Sequence, residues 1–387
     1  MITSEDYLLD RVRRLVAIES TAENPAGLHA AYEFMREMVQ TSGKAITIEE
    51  FEREGEPSFL AYHGANRPDK FDLILNAHVD VVPGKPEQFK PYIKDGRLYG
   101  RGVYDMKAAA VVLAKVFCEY ADKVPYALGF QLVTSEESGG VHGTGYQVEQ
   151  GVRADLVICG ECGQAEGAHE IANKAKGIAV VEVVFRGEIT HSAYPWRGSN
   201  AAVRAAHFIT ELQRVYPTPA EPTTGTTLTV TGLQSGGVTH NQVPDTASVK
   251  IDCRYAPNDQ RFANPRAIAE LFRSIDPEAE IGRYLSVGLP AHANAGHPLL
   301  HALKTAAETV EGHQFSLVQR NGASDGRYYT SVGGQAIEFG IAGSNQHADD
   351  ENIALEAFEN YLWTMRSFLH ETLATNSHQA HKTALSV

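Results

Sequence analysis

The chain has 387 residues, 43% of them hydrophobic and 21% charged, and a formal net charge of −14 at pH 7. That is the profile of a soluble globular protein rather than a fibrous or disordered one, and the length suggests two domains. The acidic balance argues against a nucleic-acid partner, and no stretch approaches the ~18 consecutive apolar residues of a membrane span.

The opening "MITSEDYLLDRVRRLVAI" carries acids and arginines through its apolar positions, so it reads as a first helix and not as a secretory signal. Cys118, Cys159, Cys162 and Cys253 are too few and too scattered for a disulfide framework. A reducing, cytoplasmic setting is therefore expected. Helical spacing runs over residues 5–42, broken at "ESTAENPAG" by Pro25 and Gly27. There follow a strand in "FDLILNAHVDVV", a helix in "DMKAAAVVLAKVFCEYADK", and strands in "YALGFQLVTS" and "ADLVICG". Alternation of this kind predicts an α/β layer structure, a mixed but mainly parallel sheet flanked by helices.

From residue 174 the pattern changes. "GIAVVEVVFRG" reads as a strand, "SNAAVRAAHFITELQRVY" as a helix, "TTLTVTGLQSG" and "ASVKIDCRYAP" as two strands, "PRAIAELFRSI" as a helix and "EAEIGRYLSVG" as a strand. This is the split βαβ order, which closes as a two-layer α+β domain. "HPLLHALKTAAETVEG" then returns to helix and "GQAIEFGIAG" to strand. The expected organisation is one domain from residues 1–173 and 291–387, with a second, 174–290, inserted into it.

Polar residues recur where strands end. His78 and Asp80 sit two apart in an otherwise apolar run, a spacing that puts both on one face of a strand. A metal-ligating imidazole oriented by a carboxylate has this form, as does a satisfied pair at a strand end. Asp105 follows the Gly-rich turn "YGRGVYD" at a helix start, where an N-cap is the plain alternative. Glu136 and Glu137, side by side after a strand, repel unless solvent or a cation is near. Glu161 closes "ADLVICGE" and His347 follows the last strand. Five successive strand ends that each offer a metal ligand are hard to assign to solvated loops.

The segments "NAHVDVVPG", "LYGRGVYDMKAA", "TSEESGG", "ICGE", "GEITHSAYP", "SDGRYY" and "QHADDEN" run in the order of the M20 metallopeptidases, and the chain resembles that family from residue 76 to about 352. The family includes acetylornithine deacetylase, succinyl-diaminopimelate desuccinylase, aminoacylase and glutamate carboxypeptidase. The resemblance implies a zinc-exopeptidase-like catalytic domain and an inserted lid that carries a homodimer contact. It also implies two Zn²⁺, replaceable by Co²⁺: Asp105 would bridge, with His78 and Glu161 on one ion and Glu137 and His347 on the other. Three carboxylates, two dications and a bridging hydroxide then sum to zero charge. Glu136 would be the general base toward that hydroxide and the leaving nitrogen, and Asp80 the partner of His78. On the lid, His191 would stabilise the oxyanion, usually of the other subunit's site. Arg254 would grip the substrate α-carboxylate, with Asn241 beside them.

Glutamate at the Glu161 position goes, within the family, with acylases, deacylases and carboxypeptidases. The expected activity is hydrolysis of the amide of an N-acyl L-amino acid, with a metallo-carboxypeptidase or dipeptidase as the alternative. Departures from the desuccinylase pattern are Ala323 in place of a hydroxyl residue, Lys176 in place of a paired arginine and Cys162 in place of proline. Two other readings compete. "GASDG" fits a nucleophile elbow with Ser324 as a serine-hydrolase nucleophile and His347 downstream. "CGEC" is a C-x-x-C pair, though no second pair completes four thiolates.

Overall fold

The computed structural model describes residues 4–161, 166–236, 239–262 and 264–384. Cys162 lies outside them; Cys159 is a buried free thiol. The chain divides into two compact units, one of Met1–Lys174, Ala291–Val318 and Ser324–Val387, the other of Ala175–Pro290 with Gln319–Ala323.

The first unit is built on a sheet that has, among the described residues, eight strands. Their spatial order is Ile46–Arg53, Glu56–His63, Leu128–Val133, Phe71–His78, Ala154–Cys159, Gln335–Glu338, Glu170–Ala175 and Ser316–Arg320. The four from Leu128–Val133 to Gln335–Glu338 are mutually parallel, whereas the neighbours outside them, Glu56–His63 and Glu170–Ala175, pair antiparallel. Phe71–His78 exposes only Asp72, as expected for a parallel strand covered on both faces. The helix Ala108–Tyr120 opens with three alanines, the best helix former, and buries every residue from Ala108 through Ala114, the mark of a segment enclosed on all sides; Lys115 and Glu119 form a partly exposed edge in its second half. It packs on Phe71–His78 and on the helix Leu355–Ala384, through a core that includes Leu75, Val112, Val116, Leu362 and Met365. Cutting back one such leucine to alanine would cost about 2–5 kcal/mol.

The apolar pattern does not single out the hairpin Ile46–Arg53/Glu56–His63, because "ITIEEFER" is half-exposed and charged. Its two-residue turn, Glu54 and Gly55, has both residues at positive φ, the geometry that matches strand twist.

The second unit has the two-layer form its split βαβ order implies. An antiparallel sheet runs Thr227–Ser235, Thr246–Tyr255, Gly177–Arg186, Glu280–Gly288. Gly177–Arg186 alternates buried and half-buried residues, so one face is free to pack. Val181, Val183 and Phe185 meet Phe208 and Leu212 of helix Ala201–Val215 and Phe272 of helix Pro265–Ile275 in one core.

Candidate metal centre

Parallel strands end together. The C-terminal ends of Phe71–His78, Leu128–Val133, Ala154–Cys159 and Gln335–Glu338 therefore share one edge of the sheet, where open α/β sheets bind ligands. His78 is the last residue of its strand; Glu136 and Glu137 lie in the turn after Val133, and Glu161 lies just past Cys159. His347 is in the loop beyond Glu338. Asp105 precedes the helix Ala108–Tyr120 with φ −119° and ψ 94°. That is no helix-cap duty: its carboxylate faces two imidazoles instead.

One Asp105 oxygen, Oδ1, lies 3.2 Å from His78 Nε2, and the other, Oδ2, lies 3.0 Å from His347 Nε2. His78 Nε2 is also 3.6 Å from Glu161 Oε1, and His347 Nε2 is 3.1 Å from Glu137 Oε1. The side chains thus form two groups, His78–Asp105–Glu161 and Asp105–Glu137–His347, joined through the two oxygens of one aspartate. Tetrahedral zinc with bonds of about 2.0–2.1 Å separates its ligands by about 3.3 Å. The spacings of 3.0–3.6 Å between these atoms straddle that edge length, and the donors are the imidazole and carboxylate that zinc accepts. The residues fit two divalent ions.

The electrostatics point the same way. Burial works to raise the Asp105 carboxyl, but the bonds from His347, His78 and Gln346 hold it far below the usual range. Burial would lower His78; Asp105, Asp80 and Glu161 outweigh it and leave the imidazole well above its ordinary value. His347 is pushed up to about 10 by Asp105 and then Glu137. Glu161 is pushed well up, by burial first and then by Glu136 and Asp105. Glu136 is also pushed well up, by burial first, with Asp325 and Glu137 adding to it and His78 and Arg327 opposing. Carboxyl groups crowded against one another around two imidazoles call for further positive charge, which two dications would supply.

Asp80 departs in detail from the expected partner of His78. It lies past the strand end, and His78 Nδ1 meets its backbone oxygen at 3.0 Å, with the carboxylate Oδ1 at 3.4 Å. The other oxygen, Oδ2, accepts the backbone N–H of Glu137 at 2.8 Å. Asp80 therefore orients residues of both groups.

Several residues of the site escape sequence reasoning. Gln346 donates to Asp105 Oδ2 at 2.8 Å. Asp325, fully buried, accepts from Thr144 Oγ1 at 2.6 Å and stands near Glu136. Lys107 is fully buried and donates to the carbonyls of Leu15 and Ile18; burial lowers it to about 7. All three lie in segments quoted above, "YDMKAA", "SDGRYY" and "QHADDEN", but beside Asp105 and His347 none of them has a chemistry that local pattern singles out.

Within the second unit, His191 Nδ1 accepts the N–H of Ala193 at 3.0 Å. Its other ring nitrogen, Nε2, lies 3.3 Å from the Asn241 amide nitrogen. Arg254 holds Asp252, two residues earlier on its strand, through Nε and Nη2 at 2.8 and 3.2 Å. In the first unit, Ser324 Oγ is buried and has no hydrogen-bond partner among the described residues, while His347 Nε2 is turned to Asp105 and Glu137. The nucleophile-elbow reading thus lacks a base for its serine.

Comparison with known proteins bears on this arrangement. The family model described as "Peptidase family M20/M25/M40" matches residues 74–371. A succinyl-diaminopimelate desuccinylase of Dechloromonas aromatica is 26% identical, over 95% of this chain and 99% of its own. An M20 family metallo-carboxypeptidase from Sulfolobus solfataricus superposes with a TM-score of 0.77 at 19% identity, over 95% of this chain and 99% of that one. A Bacillus subtilis protein described as a dinuclear metal binding peptidase from the M20 family superposes with a TM-score of 0.68 at 16% identity, over 96% and 98%.

Proposed function

Because the chain belongs to peptidase family M20/M25/M40 and is a metal-dependent hydrolase of amide bonds, we propose that its reaction is removal of the acyl group from an N-acyl L-amino acid. The observation that carries this reading is the pair of ligand groups sharing Asp105. His78, Asp105 and Glu161 would hold one Zn²⁺, and Asp105, Glu137 and His347 the other. When bound, such ions polarise a carbonyl and make water acidic near neutral pH; Co²⁺, with the same ligand preferences, would substitute.

The chain's own residues supply the rest. Glu136, adjacent to a ligand yet not one itself, takes the proton of the attacking water and hands it to the leaving nitrogen. A carboxylate raised by burial and by neighbouring acids is suited to that exchange near neutral pH. Asp80 keeps His78 and Glu137 in register. His191 would supply a donor for the developing oxyanion, and Arg254 and Asn241 would recognise the substrate carboxylate. Since Arg254 is engaged by Asp252, substrate carboxylate and Asp252 compete for its fork. The family's homodimer, through the second unit, belongs to the same reading.

Glu161 at the third-ligand position supports an acylase over a dipeptidase. Lys176 is buried and donates to the Thr223 carbonyl, so it does not stand in for a carboxylate-binding arginine, and Ala323 offers no hydroxyl. Both favour an N-acyl amino acid other than succinyl-diaminopimelate. The test is turnover of acetyl, succinyl and formyl amino acids beside a panel of dipeptides, with bound metal counted in the same samples. Faster cleavage of dipeptides than of every acyl amino acid would move the protein to the peptidase branch.

A further inference from the structure

The two ligand groups are supported unequally. His78 is fixed by its strand, which pairs with Leu128–Val133 on one side and Ala154–Cys159 on the other. His347 sits in a loop at φ 62°, with its side chain 43% exposed, and no sheet holds it there. What does hold it is a buried ion pair. Arg101 and Glu351 are 3% and 1% exposed, with Nη1 2.7 Å from Oε2. Arg101 Nη2 donates to the backbone oxygen of His347 at 3.1 Å. The other Glu351 oxygen, Oε1, accepts the backbone N–H groups of Tyr104 and Asp105, at 3.0 and 3.1 Å. Each end of the pair thus grips the main chain of a different ligand. Gly102, at φ 78°, lets the turn lie close: a Cβ there would come 2.5 Å from Val81 Cγ1. Gln88 adds a parallel tie, from the N–H of Lys85 to the carbonyl of Ala348.

We infer that Arg101 and Glu351 are positioning residues that set the span from Asp105 to His347, and so govern the affinity of the Asp105–Glu137–His347 group for its ion while leaving His78–Asp105–Glu161 largely alone. This rests on the two-ion reading above. An ion pair serving only stability would affect both groups or neither.

The experiment is calorimetric titration of metal-stripped protein with Co²⁺, the two binding steps being assigned with His78→Ala and His347→Ala. In Glu351→Gln the amide oxygen can keep the two N–H bonds, but the amide nitrogen then faces Arg101, and the tie to His347 is lost. The expected result is a weakening of the His347 step by about 10–100-fold with the His78 step nearly unchanged. Equal weakening of both steps, or no change in either, overturns the proposal. If Glu351→Gln does not fold, the paired change Arg101→Met with Glu351→Gln is titrated in its place, since it leaves no charge buried and alone and keeps an acceptor for the Tyr104 and Asp105 N–H groups. The same outcomes decide. Wild-type protein that takes up fewer than two equivalents of Co²⁺ would refute the two-ion reading itself, and the positioning role with it.

Discussion

In the first unit His78, Asp105, Glu137, Glu161 and His347 crowd at one sheet edge, with ligand atoms within 4.8 Å of each other in each group. Carboxylates there meet imidazoles and other carboxylates. In the second unit carboxylates are matched to guanidinium groups: Arg254 with Asp252, Arg283 with Glu182, Arg261 with Asp259, and Arg204 with both Asp276 and Glu278. A pair of opposite charges at a partly exposed surface is close to neutral for stability, and it is finished as it stands. A buried cluster with excess acid is not, and calls for positive charge from outside the chain to complete it. The difference separates residues that a ligand must finish from residues the protein finishes itself.

The sharpest way to break that contrast is to remove what completes the cluster. Dialysis against a chelator should abolish turnover, and Zn²⁺ or Co²⁺ should restore it; activity that survives a verified loss of metal would refute the contrast. Glu136→Gln should retain both ions and lose about 10²–10⁴-fold in kcat, read by steady-state kinetics with metal analysis alongside. A variant within tenfold of wild type would remove Glu136 from proton transfer. His191→Ala in the second unit should cost about 10²–10³-fold in kcat without a change in thermal unfolding. If His191 serves a partner's site, mixing this variant with Glu136→Gln should restore about a quarter of wild-type activity, the share of intact sites in a randomly mixed two-fold dimer. No recovery on mixing would confine His191 to its own subunit.

How far the sequence discloses this contrast depends on distance along the chain. His78, Glu136, Glu137 and Glu161 each stand just after an apolar run, and Asp105 just after glycines, so local pattern marks them. The order of strands and helices likewise marks the layers of both units. Nothing local marks Arg101 and Glu351 as partners, since 250 residues separate them, and Gln346 reaches Asp105 across 241. Asp80 was visible as a partner for His78, but its bond to the Glu137 N–H crosses from one strand end to the next. Contacts of that kind exist only once the parallel sheet has brought its edges together. The bidentate hold of Asp252 on Arg254 was local, two residues apart on one strand, yet unread, because side chains at that spacing share a face without any rule that they pair.

Arg254 offers a milder probe. If its fork exchanges Asp252 for a substrate carboxylate, Arg254→Lys should raise KM by about tenfold with little change in kcat, since a point charge replaces a bidentate donor. Asp252→Asn should act in the opposite sense and lower KM by freeing the guanidinium. A rise in KM on both substitutions would make the pair structural and leave carboxylate recognition to other residues.

The smallest expected effect tests whether pairing, and not membership of a unit, decides the behaviour of a charge. Glu119 belongs to the same unit as the metal centre, on helix Ala108–Tyr120, and Arg366 grips it through Nε and Nη2 at 2.9 and 2.8 Å from helix Leu355–Ala384. Burial works to raise the Glu119 carboxyl, but Arg366 and then Lys115 outweigh it and hold it below its ordinary value. A carboxylate whose folded pKa lies below its unfolded one contributes stability above the unfolded value, near 4.3, and loses it as pH falls through the folded value. Glu119→Gln should therefore destabilise the protein at pH 7 by about 1 kcal/mol, the upper range for a partly exposed pair, with metal content and kcat unchanged. The gap between wild type and variant in thermal unfolding should close as pH is lowered from 5 toward about 3.5. A gap that stays constant over that range would assign the loss to packing of the two helices and not to charge, whereas a loss of bound metal would show that even a finished pair in this unit communicates with the centre.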